Sequence, residues 1–220
     1  MKADLWAFEK SLAAVGYANI AGIDEAGRGP LAGPVVSAAV ILPARFDAQG
    51  INDSKQLSPG RRERLFTRIY DGAVAVGIGI VDATEIDRIN ILQAAKLSMQ
   101  IALANLGSRP DYVLIDGNFT IQSDLPQQAV VKGDSRSVSI AAASIVAKVS
   151  RDRLMLRYHE EYPQFGFDRH KGYPTKAHKA AIAAHGPSPI HRRTFRGVSE
   201  HLGRRFAESA PAGAAAYDGY

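Results

Sequence analysis

Four acidic residues stand where apolar segments of the sequence end, and their carboxylates could hold divalent cations. Asp24 and Glu25 follow the run YANIAGI, Asp116 ends YVLID, and Asp134 ends AVVKGD. If these segments are neighbouring strands that present the same ends, the carboxylates meet at one rim of a sheet. They would repel one another there unless a cation compensated for their charge. Taken alone, each aspartate could equally be a turn former or a helix N-cap.

The ligand set of this predicted site consists of oxygen atoms. The chain has no cysteine, and no paired histidines accompany the acids. Mg²⁺ and Mn²⁺ suit such ligands better than zinc does. Two such ions about 3.5–4 Å apart can activate a water molecule and stabilise a leaving oxygen. The acids therefore indicate phosphoryl transfer or phosphodiester hydrolysis.

A glycine-rich loop, GRGPLAGP, follows the first two acids. Its GRGPLA portion fits the weak G-x-G-x-x-A pattern of dinucleotide-binding turns. That pattern requires a helix to follow, whereas PVVSAAVIL is typical of a strand. Glycines combined with Pro30 and Pro34 indicate instead a fixed loop, within a hairpin connection, whose backbone a ligand can approach closely.

The apolar pattern predicts the elements that must position these residues. Strands are predicted at residues 17–24, 34–42, 73–82, 111–118 and 126–134. Helices are predicted within residues 1–16 and at 59–72, 84–107 and 135–162. Ser58 and Pro59 mark the start of the second helix, and Thr84 with Asp87 resembles a capping box before the third. Strands that come first and then alternate with helices predict an α/β fold with a mixed sheet.

Length and composition predict one domain in a cytoplasmic protein. The chain has 220 residues, and we expect a single domain at 1–206, helical from about 160, followed by a disordered tail at 207–220. The longest apolar run falls far short of the ~20 residues that span a bilayer. The N-terminus lacks the pattern of a signal peptide. The absence of cysteine excludes disulfides and fits a cytosolic location.

Charge is distributed unevenly along the sequence. Residues 1–130 carry 12 Lys and Arg against 14 Asp and Glu, whereas residues 131–220 carry 15 against 8 and all six histidines. Such polarity suggests an anionic partner for the C-terminal part. A soluble basic surface would explain it equally well.

The segment DEAGRGPLAGPVV at 24–36 resembles the signature of the type 2 ribonucleases H, and specifically of bacterial ribonuclease HII. The similarity covers roughly residues 17–200, and it implies a ribonuclease-H-like mixed β-sheet flanked by helices, with a helical C-terminal extension. The other segments that carry it are NDSKQLS (52–58), EIDRINILQA (85–94), VLIDGN (113–118), KGDSRSVSIAAASIVAKVSRDRLM (132–155), FDRHKGYPTKAH (167–178) and GPSPIHRRTF (186–195).

The resemblance implies an activity and a cofactor. The family's metal-binding acids fall on Asp24, Glu25, Asp116 and Asp134, which would hold two Mg²⁺ or Mn²⁺ ions when substrate is bound. The implied reaction is hydrolysis of the RNA strand of RNA–DNA hybrids and nicking of DNA on the 5′ side of embedded ribonucleotides. The products would carry 3′-hydroxyl and 5′-phosphate ends. By the same resemblance we expect a monomer without an obligate protein partner.

Substrate recognition is also implied by the resemblance. Glycine allows the backbone to approach a ligand closely, which suits recognition of the 2′-hydroxyl, the group that distinguishes RNA from DNA. The family tyrosine, Tyr173 here, packs against the sugar and senses the RNA-to-DNA junction; without the resemblance it would be an ordinary aromatic residue. Pro174 departs from the glycine expected in many relatives. The residues assigned to substrate binding are the backbone of Gly27, Arg28 and Gly29, with Ser54 and Lys55 at the nucleic-acid backbone, and Tyr173.

Other polar residues receive simpler interpretations. Asp152 is expected to pair with Arg151, Arg153 or Lys148, because about 27 Å of continuous helix would separate it from Asp134. The histidines are expected to make backbone or phosphate contacts rather than to bind metal, and the three arginines to contact phosphate or to lie on the surface. These residues are His170, His178, His191, Arg192, Arg193 and Arg196, while Met99 and Met155 are expected in the core.

Two rival functions are compatible with parts of the sequence. A non-catalytic nucleic-acid-binding module would use the basic C-terminal part alone. The acids argue against it, because carboxylates repel phosphates unless a metal intervenes. A magnesium phosphatase for small phosphoesters would use similar acids but would give no role to the basic surplus.

Overall fold

A mixed five-stranded sheet forms the centre of the protein. The structure is a computed structural model, and it describes residues 4–203. The strands are β1 Ile20–Ala26, β2 Val35–Ile41, β3 Ala75–Val81, β4 Tyr112–Asp116 and β5 Gln127–Val130. They lie in the order β3-β2-β1-β4-β5. The tail expected at residues 207–220 lies outside the described residues.

The strand directions bring the first acids together. β1 pairs in parallel with β4, and β4 pairs in parallel with β5. β2 runs antiparallel to both β1 and β3. The carboxyl ends of β1, β4 and β5 therefore lie at the same edge of the sheet. Because Ile23 of β1 pairs with Ile115 of β4, Asp24 and Asp116 follow at adjacent positions.

Helices cover both faces of the sheet. They are α1 Ala7–Ala13, α2 Pro59–Gly72, α3 Ala83–Ile89, α4 Ile91–Ala104, α5 Val138–Glu161, α6 Phe167–His170 and α7 Lys176–His185. Helices α2 and α5 pack on the face that presents Ala38 and Val40. Helix α4 packs on the other face, where Met99 meets Ile23 and Ile115. The predicted mixed sheet with helices against it is confirmed.

Helix α5 lies unusually close to the central strand. A Cβ at Gly22 would come within 2.1 Å of the carbonyl carbon of Ser139, so only glycine fits there. The three successive alanines at 141–143 are fully buried at the same interface. This close approach fixes the start of α5, and with it Asp134, at the edge of the sheet.

The helix predicted at residues 84–107 is divided in two. Asn90 has φ 67°, which ends α3, and its side chain accepts hydrogen bonds from the N–H groups of Leu92 and Gln93 at the start of α4. The cap of α3 is Asp82, whose carboxylate accepts from Glu85 N–H, rather than the predicted Thr84. Asp87 has a different role. It accepts from the N–H groups of residues 193 and 194 and anchors the C-terminal segment.

The fifth strand is shorter than predicted, and Asp134 does not stand at its end. A 3₁₀ turn, Gly133–Ser135, separates β5 from α5. Ser137 caps α5, and its hydroxyl accepts from Ile140 N–H. The second helix begins at Pro59 as predicted, although the Ser58 side chain makes no capping hydrogen bond.

The C-terminal portion is helical, as expected from the resemblance. It packs on the loop between β1 and β2 through a separate core that contains Leu31, Met155, Phe167 and Ile182. Met99 and Met155 are both fully buried, which confirms the expectation for these residues. In the described part of the chain, no helix has the length and apolarity to cross a membrane.

Candidate active site

Three of the four predicted acids converge at the carboxyl edge of the sheet. Asp24, Asp116 and Asp134 each offer a carboxylate oxygen, and these atoms all lie within 4.8 Å of one another. Asp24 stands on β1, Asp116 ends β4, and Asp134 lies in the 3₁₀ turn before α5. The Asp116 Oδ1 atom accepts from the N–H of Gly133 at 2.6 Å, which ties that turn to β4.

Glu25 lies beside this cluster but is not part of it. Successive strand residues point to opposite faces, so its side chain diverges from that of Asp24. Its Oε1 atom pairs with Arg28 Nη1 at 3.2 Å. Its Oε2 atom is buried without a hydrogen-bond partner among residues 4–203. The ligand role expected for Glu25 stays a prediction.

The pKa values of the clustered acids show how poorly their charge is compensated. Burial raises the pKa of Asp24 well above its usual range, and repulsion from Glu25 and Asp116 adds to this. Burial likewise raises the pKa of Asp134, with Asp116 contributing. Lys55 opposes this rise through Nζ, which lies 3.6 Å from Asp134 Oδ2, but that lysine side chain is 79% exposed. A divalent cation among the three carboxylates would supply the missing charge, and an all-oxygen donor set suits Mg²⁺ or Mn²⁺.

Ser54 and Lys55 stand in different environments. The Ser54 side chain is buried, and its hydroxyl accepts a hydrogen bond from Ser144 of α5 at 2.8 Å. Burial alone would lower the pKa of Lys55, but the charges of Asp24 and Asp134 outweigh it and raise the pKa. Lys55 therefore presents a cation to the solvent side of the acids, whereas Ser54 holds its loop against α5.

The glycine-rich loop and Tyr173 lie next to each other. Tyr173 is 42% exposed, and its Cε1 atom lies 3.8 Å from the place of a Cβ on Gly29. The loop is joined to the C-terminal portion by the Leu31 N–H, which donates to the Gly172 carbonyl at 2.8 Å. Of the residues assigned to substrate binding, Arg28 and Gly29 are exposed with Tyr173 beside Gly29, whereas Gly27 is buried. Thr175 N–H donates to the Tyr173 carbonyl, so Pro174 lies within a closed turn.

Asp152 makes the ion pairs of a structural residue, as expected. It pairs with Lys148 at 2.6 Å and with Arg62 at 3.9 Å. Arg151 does not take part. Its guanidinium is buried and donates to the carbonyls of Ala32, Pro34 and Lys171.

The expectation for Arg192 is wrong. Arg192 is fully buried, so it neither contacts phosphate nor lies on the surface. His178 and His191 are also buried, with their Nε2 atoms 3.0 Å apart. His170 stacks on His178 with ring centroids 4.4 Å apart. His178 contacts both of the other rings, and all three rings also form hydrogen bonds with protein main-chain groups. Residue types alone could not predict this, because main-chain groups are among the partners.

The hydrogen bonds assign the tautomers of the two buried histidines. The Nδ1 atom of His191 accepts from Ser188 N–H at 3.0 Å, so its proton lies on Nε2. That proton is donated to His178 Nε2, and His178 Nδ1–H is then donated to the Tyr173 carbonyl at 2.9 Å. Burial lowers the pKa of His178 to about 4 and that of His191 to about 3. Two neutral imidazoles therefore link Ser188 to the backbone of Tyr173.

A mixed sheet of this order, with helices on both faces and three carboxylates at its carboxyl edge, defines a ribonuclease-H-like protein. Solved structures share the fold. The ribonuclease H2 of Pyrococcus horikoshii OT3 is 29% identical with a TM-score of 0.71, over 84% of this chain and 97% of that one. The ribonuclease HII of Archaeoglobus fulgidus, solved in a complex with PCNA, is 29% identical with a TM-score of 0.69, over 81% and 95%.

The chain belongs to the ribonuclease HII family. The model of that family, described as Ribonuclease HII, matches residues 21–198. The ribonuclease HII of Geobacter sulfurreducens is 59% identical over 199 residues, which cover 90% of this chain and 92% of that protein. The protein is therefore a ribonuclease H, a hydrolase of a metal-dependent family, and the expectation of an enzyme is confirmed.

Proposed function

We propose that the protein is an endoribonuclease that cleaves the RNA strand of RNA–DNA hybrids and nicks duplex DNA on the 5′ side of embedded ribonucleotides. The products carry 3′-hydroxyl and 5′-phosphate ends. The observation that carries this proposal is the convergence of Asp24, Asp116 and Asp134, whose oxygens lie within 4.8 Å of one another. Residues 1–206 form the single catalytic domain in this proposal, and the enzyme acts in the cytoplasm.

The acids of the site hold Mg²⁺ or Mn²⁺ in the proposed mechanism. Asp24, Asp116 and Asp134 provide the ligands at the edge of the sheet, and Glu25 provides a further carboxylate beside them. Two bound ions would supply an activated water and would stabilise the leaving 3′-oxygen. The raised pKa of Asp24 means that its proton must leave before a cation can bind. Lys55 places a positive charge where a phosphate can approach.

The backbone of residues 27–29 and the ring of Tyr173 recognise the sugar in this proposal. The glycine backbone allows close contact with the 2′-hydroxyl, and the half-exposed Tyr173 ring offers an apolar face to the adjoining sugar. Lys55, with the backbone of Ser54, contacts the phosphate chain. The adjacency of Gly29 and Tyr173 supports this assignment.

The rival functions differ in what they leave unused. A binding module would have no use for three clustered carboxylates beside a phosphate-binding surface, and membership of a ribonuclease family argues against it. A small-molecule phosphatase has no use for a surface beside Tyr173. Hydrolysis of p-nitrophenyl phosphate, measured alongside nucleic-acid cleavage, separates that rival.

Partners beyond the substrate are part of the proposal. The Archaeoglobus fulgidus relative was solved in a complex with PCNA, which shows that a family member assembles with that protein. For this chain we propose a monomer that needs no obligate protein partner for cleavage.

The decisive experiment uses a DNA duplex with one internal ribonucleotide, incubated with and without Mg²⁺. We expect a single nick immediately 5′ of the ribonucleotide, only with metal present, and its loss in Asp116→Asn. The matched control is Asp124→Asn, which removes an acid outside the cluster and should retain the wild-type rate. The proposal would be contradicted if the wild-type protein produced no nick in the presence of Mg²⁺, or if the Asp116→Asn variant were active.

A further inference from the structure

The guanidinium of Arg192 is enclosed by the carbonyl oxygens of the glycine-rich loop. Its Nη2 atom donates to Gly27 at 2.5 Å, and its Nη1 atom donates to Arg28 at 3.0 Å. Its Nε atom donates to Gly33 at 3.0 Å, and Nη2 reaches the same oxygen at 2.9 Å. Arg192 is fully buried and makes no ion pair with any acid in the described part of the chain.

Burying a cation without an acidic partner costs free energy, because the charge is removed from water. Burial lowers the pKa of Arg192 to about 9, and the charge of Arg151 acts in the same direction. An apolar side chain of similar volume would avoid this desolvation. The fork of N–H groups on a guanidinium can, however, hold several carbonyls in a fixed geometry, which neither an apolar side chain nor lysine can do.

The direction of these carbonyls determines the direction of two amides. In a planar trans peptide, the C=O and the following N–H point in opposite directions. The Gly27 carbonyl faces Arg192, so the N–H of Arg28 points away from it. The Arg28 carbonyl also faces Arg192, so the N–H of Gly29 points away as well.

These two amides are available for a ligand. Neither the Arg28 N–H nor the Gly29 N–H has a hydrogen-bond partner among residues 4–203. Both residues are exposed, and Gly29 lies beside the Tyr173 ring. Two adjacent donors at the edge of an aromatic ring can bind one hydroxyl oxygen of a sugar.

We infer that Arg192 is a positioning residue for substrate specificity: it holds the carbonyls of Gly27 and Arg28 so that the amides of Arg28 and Gly29 bind the 2′-hydroxyl of a ribonucleotide. The inference rests on the proposed function, because it requires that this loop reads the sugar. Arg192 itself does not touch the substrate.

The backbone of Arg192 is held by α3 and by Leu31, away from the carbonyls of residues 27 and 28. Asp87 of α3 accepts from the N–H groups of Arg193 at 2.7 Å and Thr194 at 3.0 Å. The Arg192 N–H donates to the Leu31 carbonyl at 2.8 Å. The guanidinium therefore starts from a fixed backbone, and its length and fork geometry decide where residues 27 and 28 lie.

The test compares Arg192→Lys with Arg151→Lys, both in an Asp116→Asn background that binds but does not cleave. Arg151 is the matched control. It is also buried and packs against Gly27, but it donates to the carbonyls of Ala32, Pro34 and Lys171 and not to those of Gly27 or Arg28. The measured quantity is the ratio of dissociation constants for an all-DNA duplex and for the same duplex with one ribonucleotide.

We expect Arg192→Lys to lower this ratio by about tenfold, because two hydrogen bonds to the hydroxyl lose their alignment. Affinity for the all-DNA duplex should change by less than about twofold, since phosphate contacts remain. Arg151→Lys should lower the melting temperature similarly but retain the wild-type ratio. An equal loss in both variants would mean general loosening of the loop and would overturn the inference.

The remaining outcomes separate the inference from the proposed function. A protein with native Arg192 that binds both duplexes equally contradicts the proposed function itself. If it prefers the ribonucleotide and Arg192→Lys keeps that preference, the proposed function stands and the inference is wrong. Arg192→Gln, which is neutral and still donates to one carbonyl, serves if the lysine variant does not fold. Failure of both variants to fold would assign Arg192 to stability and overturn the inference.

Discussion

Gly27 and Gly29 stand in the same loop, but the surrounding chain leaves them different amounts of room. Gly27 has φ +100°, and a Cβ there would lie 2.1 Å from the Nε atom of Arg151. A Cβ at Gly29 would have Tyr173 as its nearest neighbour, at 3.8 Å, and its backbone is not left-handed. The fold therefore requires glycine at position 27, whereas at position 29 glycine leaves the backbone open to a ligand.

We expect Gly29→Ala to fold normally and to lose activity. Its free energy of unfolding should stay within about 0.5 kcal/mol of wild type, because the added methyl group meets only an ordinary contact. Its kcat/KM on a duplex with one ribonucleotide should fall by about tenfold or more, since the methyl group displaces a sugar that must lie close to the backbone. Urea unfolding and initial rates measure the two quantities.

Gly27→Ala provides the comparison for that prediction. It should lose more than about 2 kcal/mol of stability, because its methyl group combines left-handed strain with overlap on Arg151. A Gly29→Ala protein that lost as much stability as this variant, or that kept full activity, would show that position 29 is structural.

Single residues differ in how far the sequence could predict them. Asp24 and Asp116 were predictable, because parallel strands that end in acids bring those acids to one edge of a sheet. Arg151 and Arg192 were not predictable, because they bind main-chain carbonyls. Every residue has such a carbonyl, so the sequence does not show which ones will be hydrogen-bond partners. The basic character of Arg192 pointed wrongly to the surface.

At the scale of elements, the break between α3 and α4 depends on Asn90. Its φ of 67° and ψ of 163° lie in a region that side chains rarely adopt. Its side-chain oxygen accepts from the N–H groups of Leu92 at 3.0 Å and Gln93 at 3.1 Å. The side chain thus offsets the strain of the backbone by capping the following helix.

Two substitutions at Asn90 separate these contributions. Asn90→Ala keeps the strain and removes the cap, and it should cost about 1–3 kcal/mol of the free energy of unfolding. Asn90→Gly removes both, and it should cost less than about 1 kcal/mol. Urea unfolding of the two variants measures the difference. If the alanine variant were the more stable one, the backbone at residue 90 would carry no strain.

The break also shows why element boundaries escaped prediction. The apolar pattern continues across residue 90, and neither glycine nor proline marks the interruption. The contacts of α3 include distant parts of the chain, since Asp87 accepts from the backbone of residues 193 and 194. Similarly, the turn at Asp134 depends on hydrogen bonds to Asp116, which is 18 positions away. The mixed-sheet architecture was still predicted correctly, because it follows from element order alone.

At the scale of the molecule, most basic side chains of residues 131–203 are exposed, but part of the basic surplus is not at the surface. Arg151 and Arg192 are buried, as are His178 and His191. Part of the C-terminal charge thus organises the loop between β1 and β2 from within, while Arg193 remains exposed. The uneven charge of the sequence indicated a region of interest but not the way in which its cations are used.

The two neutral histidines predict loss of stability in acid. Burial holds the pKa of His178 at about 4 and that of His191 at about 3. Below pH ~6.5 the unfolded chain therefore binds protons at these two histidines that the folded chain does not bind. The free energy of unfolding should therefore fall as the pH drops from about 6.5 to about 4, by roughly 3 kcal/mol for His178 alone. Urea unfolding in an Asp24→Asn background measures this, because the raised pKa of Asp24 acts with opposite sign. The raised pKa values of Glu25 and Asp134 also act with that opposite sign, and they are common to the parent and the histidine variant. His191→Gln should reduce this pH dependence, because it removes one of the two buried histidines; a pH-independent parent would contradict the neutral pair.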